Sequence, residues 1–222
     1  MPKLRFHCIV LDHDDTAVDS TRTIHFPAHQ EVMRRLRPDH PEPTLDNWFS
    51  KNFHPGIMAL LTEELGFNED ELKAEFEIWQ SFTKNSLPEF FPGFQDTIRE
   101  YREAGGTVAV VSHSEVPVIE KHYEAAGFMP DLIYGWDHDH EKRKPHPYPL
   151  YDIIEKTGHR ADGLLVVDDL RPGIEMAHTA GVAAAGAGWA HQIPEIRSFM
   201  EDACDYYLET IQDFKELILR KE

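Results

Sequence analysis

Asp12 and Asp14 stand with one residue between them where the apolar run Ile9-Val10-Leu11 stops, in the stretch Asp12-His13-Asp14-Asp15-Thr16. Side chains alternate along a strand, so residues at i and i+2 leave its carboxyl end pointing the same way and can meet one bound group. One carboxylate can attack while the other carries protons. The same pattern also suits an ordinary polar turn after a strand, so the pair alone leaves both readings open.

Other polar groups follow in a consistent order. Ser112-His113-Ser114 comes after Val108 to Val111, then Lys144-Pro145, then Asp168-Asp169 after Leu164 to Val167. In an open α/β sheet, ligands bind outside the carboxyl ends of the strands, which is where these groups would converge. Each has a plainer reading: Ser112 as a helix N-cap, Lys144 as a surface lysine, Asp168-Asp169 as a polar loop, Thr16 as a turn residue. The alternative for Thr16 is to cap the first loop and orient Asp14.

The elements that must position these residues alternate between strand and helix, which predicts an α/β fold with buried parallel strands. Strands are expected at 6–11, 107–111, 132–134, 163–167 and 182–187, with amphipathic helices at 93–104, 116–126, 149–156 and 172–180. Gly105, Gly127, Gly158 and Gly181 fall where helix C-caps are expected. A strand at 206–208 and a helix at 211–219 close the pattern.

Residues 19–87 break this rhythm with helical periodicity and almost no strand-like run. Helices are expected at 27–36, 45–53, 56–65 and 69–83, the last capped by Asn68. The organisation is therefore a Rossmann-like parallel sheet core flanked by helices, 1–18 and 88–222, with an inserted all-helical cap at 19–87. Such an insert reads as a lid or as a helical extension of the core. The tract Asp137-His138-Asp139-His140-Glu141-Lys142-Arg143-Lys144 reads as a solvated loop rather than a metal site.

Composition excludes several partners. A net charge of −18 over 222 residues supplies no basic surface for nucleic acid. No apolar stretch is long enough to span a bilayer, so no membrane partner is expected. The amino terminus runs directly into the first strand with no cleavable apolar segment, and a cytoplasmic location is expected. Cys8 and Cys204 form no disulfide framework or zinc motif and are expected as reduced thiols.

Taken together, these motifs resemble those of the haloacid dehalogenase-like superfamily, in particular its phosphatases with a helical cap after the first motif. Leu11 to Ser20 is similar to the first motif, Phe91-Pro92-Gly93 to the return from cap to core, and Val110-Val111-Ser112-His113 to the second motif. Arg143-Lys144-Pro145-His146-Pro147 is similar to the third, and Val166-Val167-Asp168-Asp169 with Gly173 to the fourth. The resemblance implies Asp12 as nucleophile through a phosphoaspartyl intermediate, with Asp14 as general acid and then base. Lys144 would neutralise Asp12 and the transferring phosphoryl group. Ser112, with His113 and Thr16 beside it, would bind the phosphate. Carboxylates facing a phosphate dianion need a cation, and Mg²⁺ is implied, held by Asp12, the Asp14 carbonyl, Asp169 and Asp168.

Two positions depart from the family pattern. Asp15 stands where glycine is usual, although Asp tolerates positive φ better than most residues. His13 replaces an often apolar residue and reads as a satisfied loop imidazole. Asp14 argues against carbon–halogen and carbon–phosphorus cleavage, whose enzymes lack an aspartate there. Hydrolysis of a small phosphorylated metabolite is the leading expectation, with a small-sugar phosphomutase as runner-up and a non-catalytic phosphate-binding protein third. Lys51 and His54, in Lys51-Asn52-Phe53-His54-Pro55-Gly56, would read the substrate from the cap. A monomer or homodimer is expected.

Overall fold

The computed structural model describes residues 3–84 and 86–220. A short strand β1 (Lys3–Leu4) precedes β2 (Cys8–Leu11). Helices α1 (Phe26–Leu36), α2 (Leu45–Phe53), α3 (Ile57–Ala59) and α4 (Glu69–Thr83) follow. Next come α5 (Phe94–Glu103), β3 (Thr107–Val111), α6 (Val116–Ala125) and β4 (Leu132–Tyr134). The chain then continues through α7 (Tyr148–Thr157), β5 (Leu164–Asp168), α8 (Arg171–Ala180) and β6 (Ala183–Ala187). It closes with α9 (Pro194–Ala203), β7 (Tyr206–Leu208), α10 (Ile211–Ile218) and β8 (Leu219–Arg220).

Six strands form one parallel sheet in the order β4-β3-β2-β5-β6-β7. Every residue of β2 and β5 is buried, as expected of central strands covered on both faces by helices. Around them pack Phe94, Ile98, Tyr101, Tyr123 and Phe214, which contribute roughly 1.5–3 kcal/mol per fully buried large side chain. Tyr101 remains satisfied inside this core because its hydroxyl donates to the Phe6 carbonyl at 2.9 Å. Helix α8 ends on Gly181 at φ 67°, the left-handed C-cap that its position in the sequence predicts.

Two features lie outside the sequence expectation. β1 and β8 form a separate two-stranded antiparallel pair, Leu4 opposite Leu219. The expected single helix at 56–65 is α3 followed by a π-helical turn, Leu60–Glu64, and a second π turn, Thr21–His25, leads into α1.

The chain separates into two compact units, one of Met1–Val18 with Phe90–Glu222 and one of Asp19–Glu89. The second is all helical, with Val32, Leu61, Phe67 and Ile78 at its own small core. Its helix α4 begins with a capping box: the Asn68 side chain accepts from Asp70 and Glu71 N–H, and Glu71 accepts from Asn68 N–H. No helix of the described residues is long and apolar enough to cross a membrane.

Candidate active site

The carboxyl ends of β2, β3 and β5 bring the polar groups together within the sheet unit. Asp12 leaves β2 with its N–H donating to the Val167 carbonyl of β5 at 2.9 Å. The next residues fold into a tight loop in which Ala17 and Val18 N–H both donate to the His13 carbonyl. Asp15 adopts φ 58°, the left-handed conformation that a glycine would take without a side-chain penalty. The Asp-for-Gly departure is therefore accommodated by backbone geometry, with the Asp15 side chain buried.

Lys144 is the hub of the site. The residue is 3% exposed, and its ammonium donates to Asp12 Oδ1 at 2.6 Å and to Asp168 Oδ2 at 2.7 Å. Burial by itself lowers an ammonium pKa, but the two carboxylates outweigh it and hold Lys144 above the ordinary lysine range. Asp168 also accepts from Leu170 N–H at 2.8 Å. Gly173 is the residue that permits this packing, since a Cβ there would lie 1.9 Å from Asp168 Oδ2.

Asp12, Asp168 and Asp169 each present a carboxylate oxygen within 4.8 Å of the others, all buried. Burial first, then Asp12, Asp15 and Asp168, push the Asp169 carboxyl well above the usual carboxylate range. Lys144 ion-pairs with two of these three carboxyl groups, and their crowding together with an all-oxygen donor set fits a hard divalent cation. The Asp14 carboxylate is not in this cluster. It accepts instead from Ser114 Oγ at 2.6 Å.

Several residues sit differently from expectation. Thr16 is fully buried and its hydroxyl donates to Asp169 Oδ1 at 3.1 Å, so it orients Asp169 rather than Asp14. Ser112 is not a helix N-cap: Glu115 holds that position on α6, while Ser112 Oγ accepts from Ser114 N–H at 3.1 Å within the loop. His113 Nε2 donates to the Lys144 carbonyl at 3.1 Å. Burial, with the Lys144 charge adding to it, pushes this imidazole down to about 4 and keeps it neutral. His13 is enclosed and shares a 2.8 Å hydrogen bond with His122 Nδ1.

Lys51 and His54 belong to the helical unit. Lys51 is ion-paired with Glu64 at 2.6 Å, and His54 is exposed before the cis peptide to Pro55. Sequence reasoning assigned no role to Ser114 or His122, whose partners lie 100 and 109 residues away and leave no local signal. A cavity of about 810 Å³ lies at the opposite, amino-terminal end of the strands, lined by Arg5, Phe6, Asp162 and Tyr206, and holds none of these groups.

Residues 9–187 match the haloacid dehalogenase-like hydrolase family. The phosphoglycolate phosphatase of Pectobacterium atrosepticum is 25% identical over 95% of this chain and 91% of its own length. That of Vibrio parahaemolyticus is 27% identical over 91% of this chain and 95% of its own. The solved structure of a haloacid dehalogenase-like hydrolase from Streptococcus pneumoniae superimposes with a TM-score of 0.75 at 15% identity, covering 95% of this chain and 97% of that one. At that identity it establishes the shared fold.

Proposed function

Because the chain belongs to the haloacid dehalogenase-like hydrolase family, we propose that it is a Mg²⁺-dependent phosphatase that cleaves a small phosphate monoester through Asp12. The carrying observation is the buried Lys144 ammonium on Asp12 Oδ1, with Asp14 two residues on and turned toward Ser114. The hydrogen bond from Lys144 holds the Asp12 carboxyl group in place for in-line attack on phosphorus. As the Asp12–phosphorus bond forms, the bond to the leaving oxygen breaks and Asp14 delivers a proton to that oxygen. Asp14, left as a carboxylate, then takes a proton from the water that attacks phosphorus; the Asp12–phosphorus bond breaks, phosphate leaves, and the Asp12 carboxylate and the protonated Asp14 are restored.

Ser112 supports phosphate binding, since its Oγ accepts from Ser114 N–H and its hydroxyl hydrogen has no acceptor among the described residues. Asp12, Asp168 and Asp169 would hold the cation, which when bound neutralises the phosphoryl oxygens. Phosphoglycolate is the first substrate to test, given what the two curated relatives are named for. No observation favours the phosphomutase reading. The proposal predicts phosphate release from phosphoglycolate or another small monoester with Mg²⁺ present. Asp12→Asn should lower kcat by at least about a thousandfold while the chain remains folded. Turnover retained by that variant would refute the mechanism.

A further inference from the structure

Arg143 precedes the hub lysine. Among the described residues it makes no ion pair with any carboxylate, in a chain of net charge −18, and its Nε is enclosed without a hydrogen-bond acceptor. Asp139, the acid within electrostatic reach, is already paired with Lys142 at 2.7 Å. The Arg143 guanidinium lies over the ring of Trp136, 4.2 Å from its centroid. Trp136 is 41% exposed, so this stacked pair faces solvent rather than the core.

The pair is joined to the reaction centre by short contacts. Trp136 N–H donates to the Ser114 carbonyl at 2.9 Å, and Ser114 Oγ in turn holds Asp14. The Trp136 ring meets His113 edge to face, with centroids 5.7 Å apart, and His113 donates to the Lys144 carbonyl. Arg143 therefore belongs to the side of the site that carries Asp14, the proton donor to the leaving oxygen. A guanidinium stacked on an aromatic ring has its planar fork pre-set to meet an oxyanion with two parallel hydrogen bonds.

We infer that Arg143, seated on Trp136, is an anion subsite that binds a second negatively charged group on the leaving-group side of the substrate. The inference rests on the phosphatase reading for its place in turnover, but not for the binding it assigns. The ligand chemistry is an oxyanion, carried either by a carboxylate or by a second phosphate. Substrates with uncharged leaving groups lack this contact, so the subsite selects among monoesters that Asp12 alone would treat alike.

The test compares substrates that differ in that group, using the full chain with Mg²⁺: phosphoglycerate against glycerol phosphate, and glucose bisphosphate against glucose monophosphate. The wild type should prefer the charged member of one pair by about 10- to 100-fold in kcat/KM, the range of a hydrogen bond to a charged group. Which pair shows the preference separates carboxylate from phosphate. In Arg143→Gln that ratio should collapse toward one, carried by KM, and Arg143→Lys, which keeps the charge without the fork, should fall between. The lysine variant carries the test should the glutamine variant fail to fold. No preference in the wild type, or one that survives in the variants, overturns the subsite. If the wild type hydrolyses nothing, the phosphatase reading fails, and the same pairs are compared as ligands by calorimetry. Tighter binding of the charged member that Arg143→Gln abolishes supports the subsite, and equal affinities overturn it.

Discussion

Ser114 Oγ donates to Asp14 Oδ2 at 2.6 Å, tying the loop after β3 to the second aspartate of the loop after β2. A short hydrogen bond to a carboxylate fixes the rotamer of the group that must face the leaving oxygen. Ser114→Ala should lower kcat about tenfold with KM little changed, since it removes orientation and not substrate contact. Steady-state kinetics beside a thermal unfolding curve check this, and an equal fall in thermal stability would mean that the bond is structural only.

Lys144 is buried between two carboxylates, so its removal leaves Asp12 and Asp168 with uncompensated charge. Lys144→Met should cost about 3–5 kcal/mol in urea unfolding as well as abolishing turnover. Asp12→Asn in the same background should recover part of the lost stability, because one orphaned charge is gone. Additive losses in the double variant would show that the two groups are not coupled.

Asp15 holds φ 58° with its side chain buried, and this backbone is the reason glycine suits the position. Asp15→Ala should be less stable than Asp15→Gly by about 1–2 kcal/mol, the penalty of a Cβ in the left-handed region. Comparing the two variants removes the Asp15 carboxylate from both, so the difference reports the backbone. Equal midpoints in denaturant would contradict the assigned conformation.

His29 lies in the helical unit, 4.2 Å from the Trp48 ring centroid and buried, and burial pushes its imidazole down to about 4. The folded chain keeps this ring neutral while the unfolded chain protonates it near pH 6.5. Unfolding thus takes up a proton between pH 6.5 and about 4, and stability should be full above that window and fall as the pH drops through it. His29→Phe should flatten part of that slope in a stability–pH series. An unchanged slope would show that the ring is not titrating as its burial requires.

Much of the fold was legible because its determinants are local. β3, β4 and β7 fall on the expected apolar runs, and α2 and α4 begin and end where periodicity and the Asn68 cap place them. β1, β8 and the two π turns left no trace: strands of two residues have no alternation to read, and a π turn keeps helical periodicity while changing only its hydrogen-bond partner. By itself the sequence determined the order of the main strands and helices, the loop in which Asp12 and Asp14 stand two apart, and the presence of Ser112, Asp168 and Asp169 at strand ends; Lys144, expected at a strand end, lies instead in the loop between β4 and α7. Only the tertiary structure decided who meets whom. Lys144 bridges Asp12 and Asp168, Thr16 turns to Asp169, Ser114 takes Asp14, and Arg143 lies on Trp136 with no ion pair to a carboxylate among the described residues. Apart from the last, these pairings join residues 24 to 153 positions apart, and such contacts depend on sheet order and side-chain packing rather than on any periodicity along the chain.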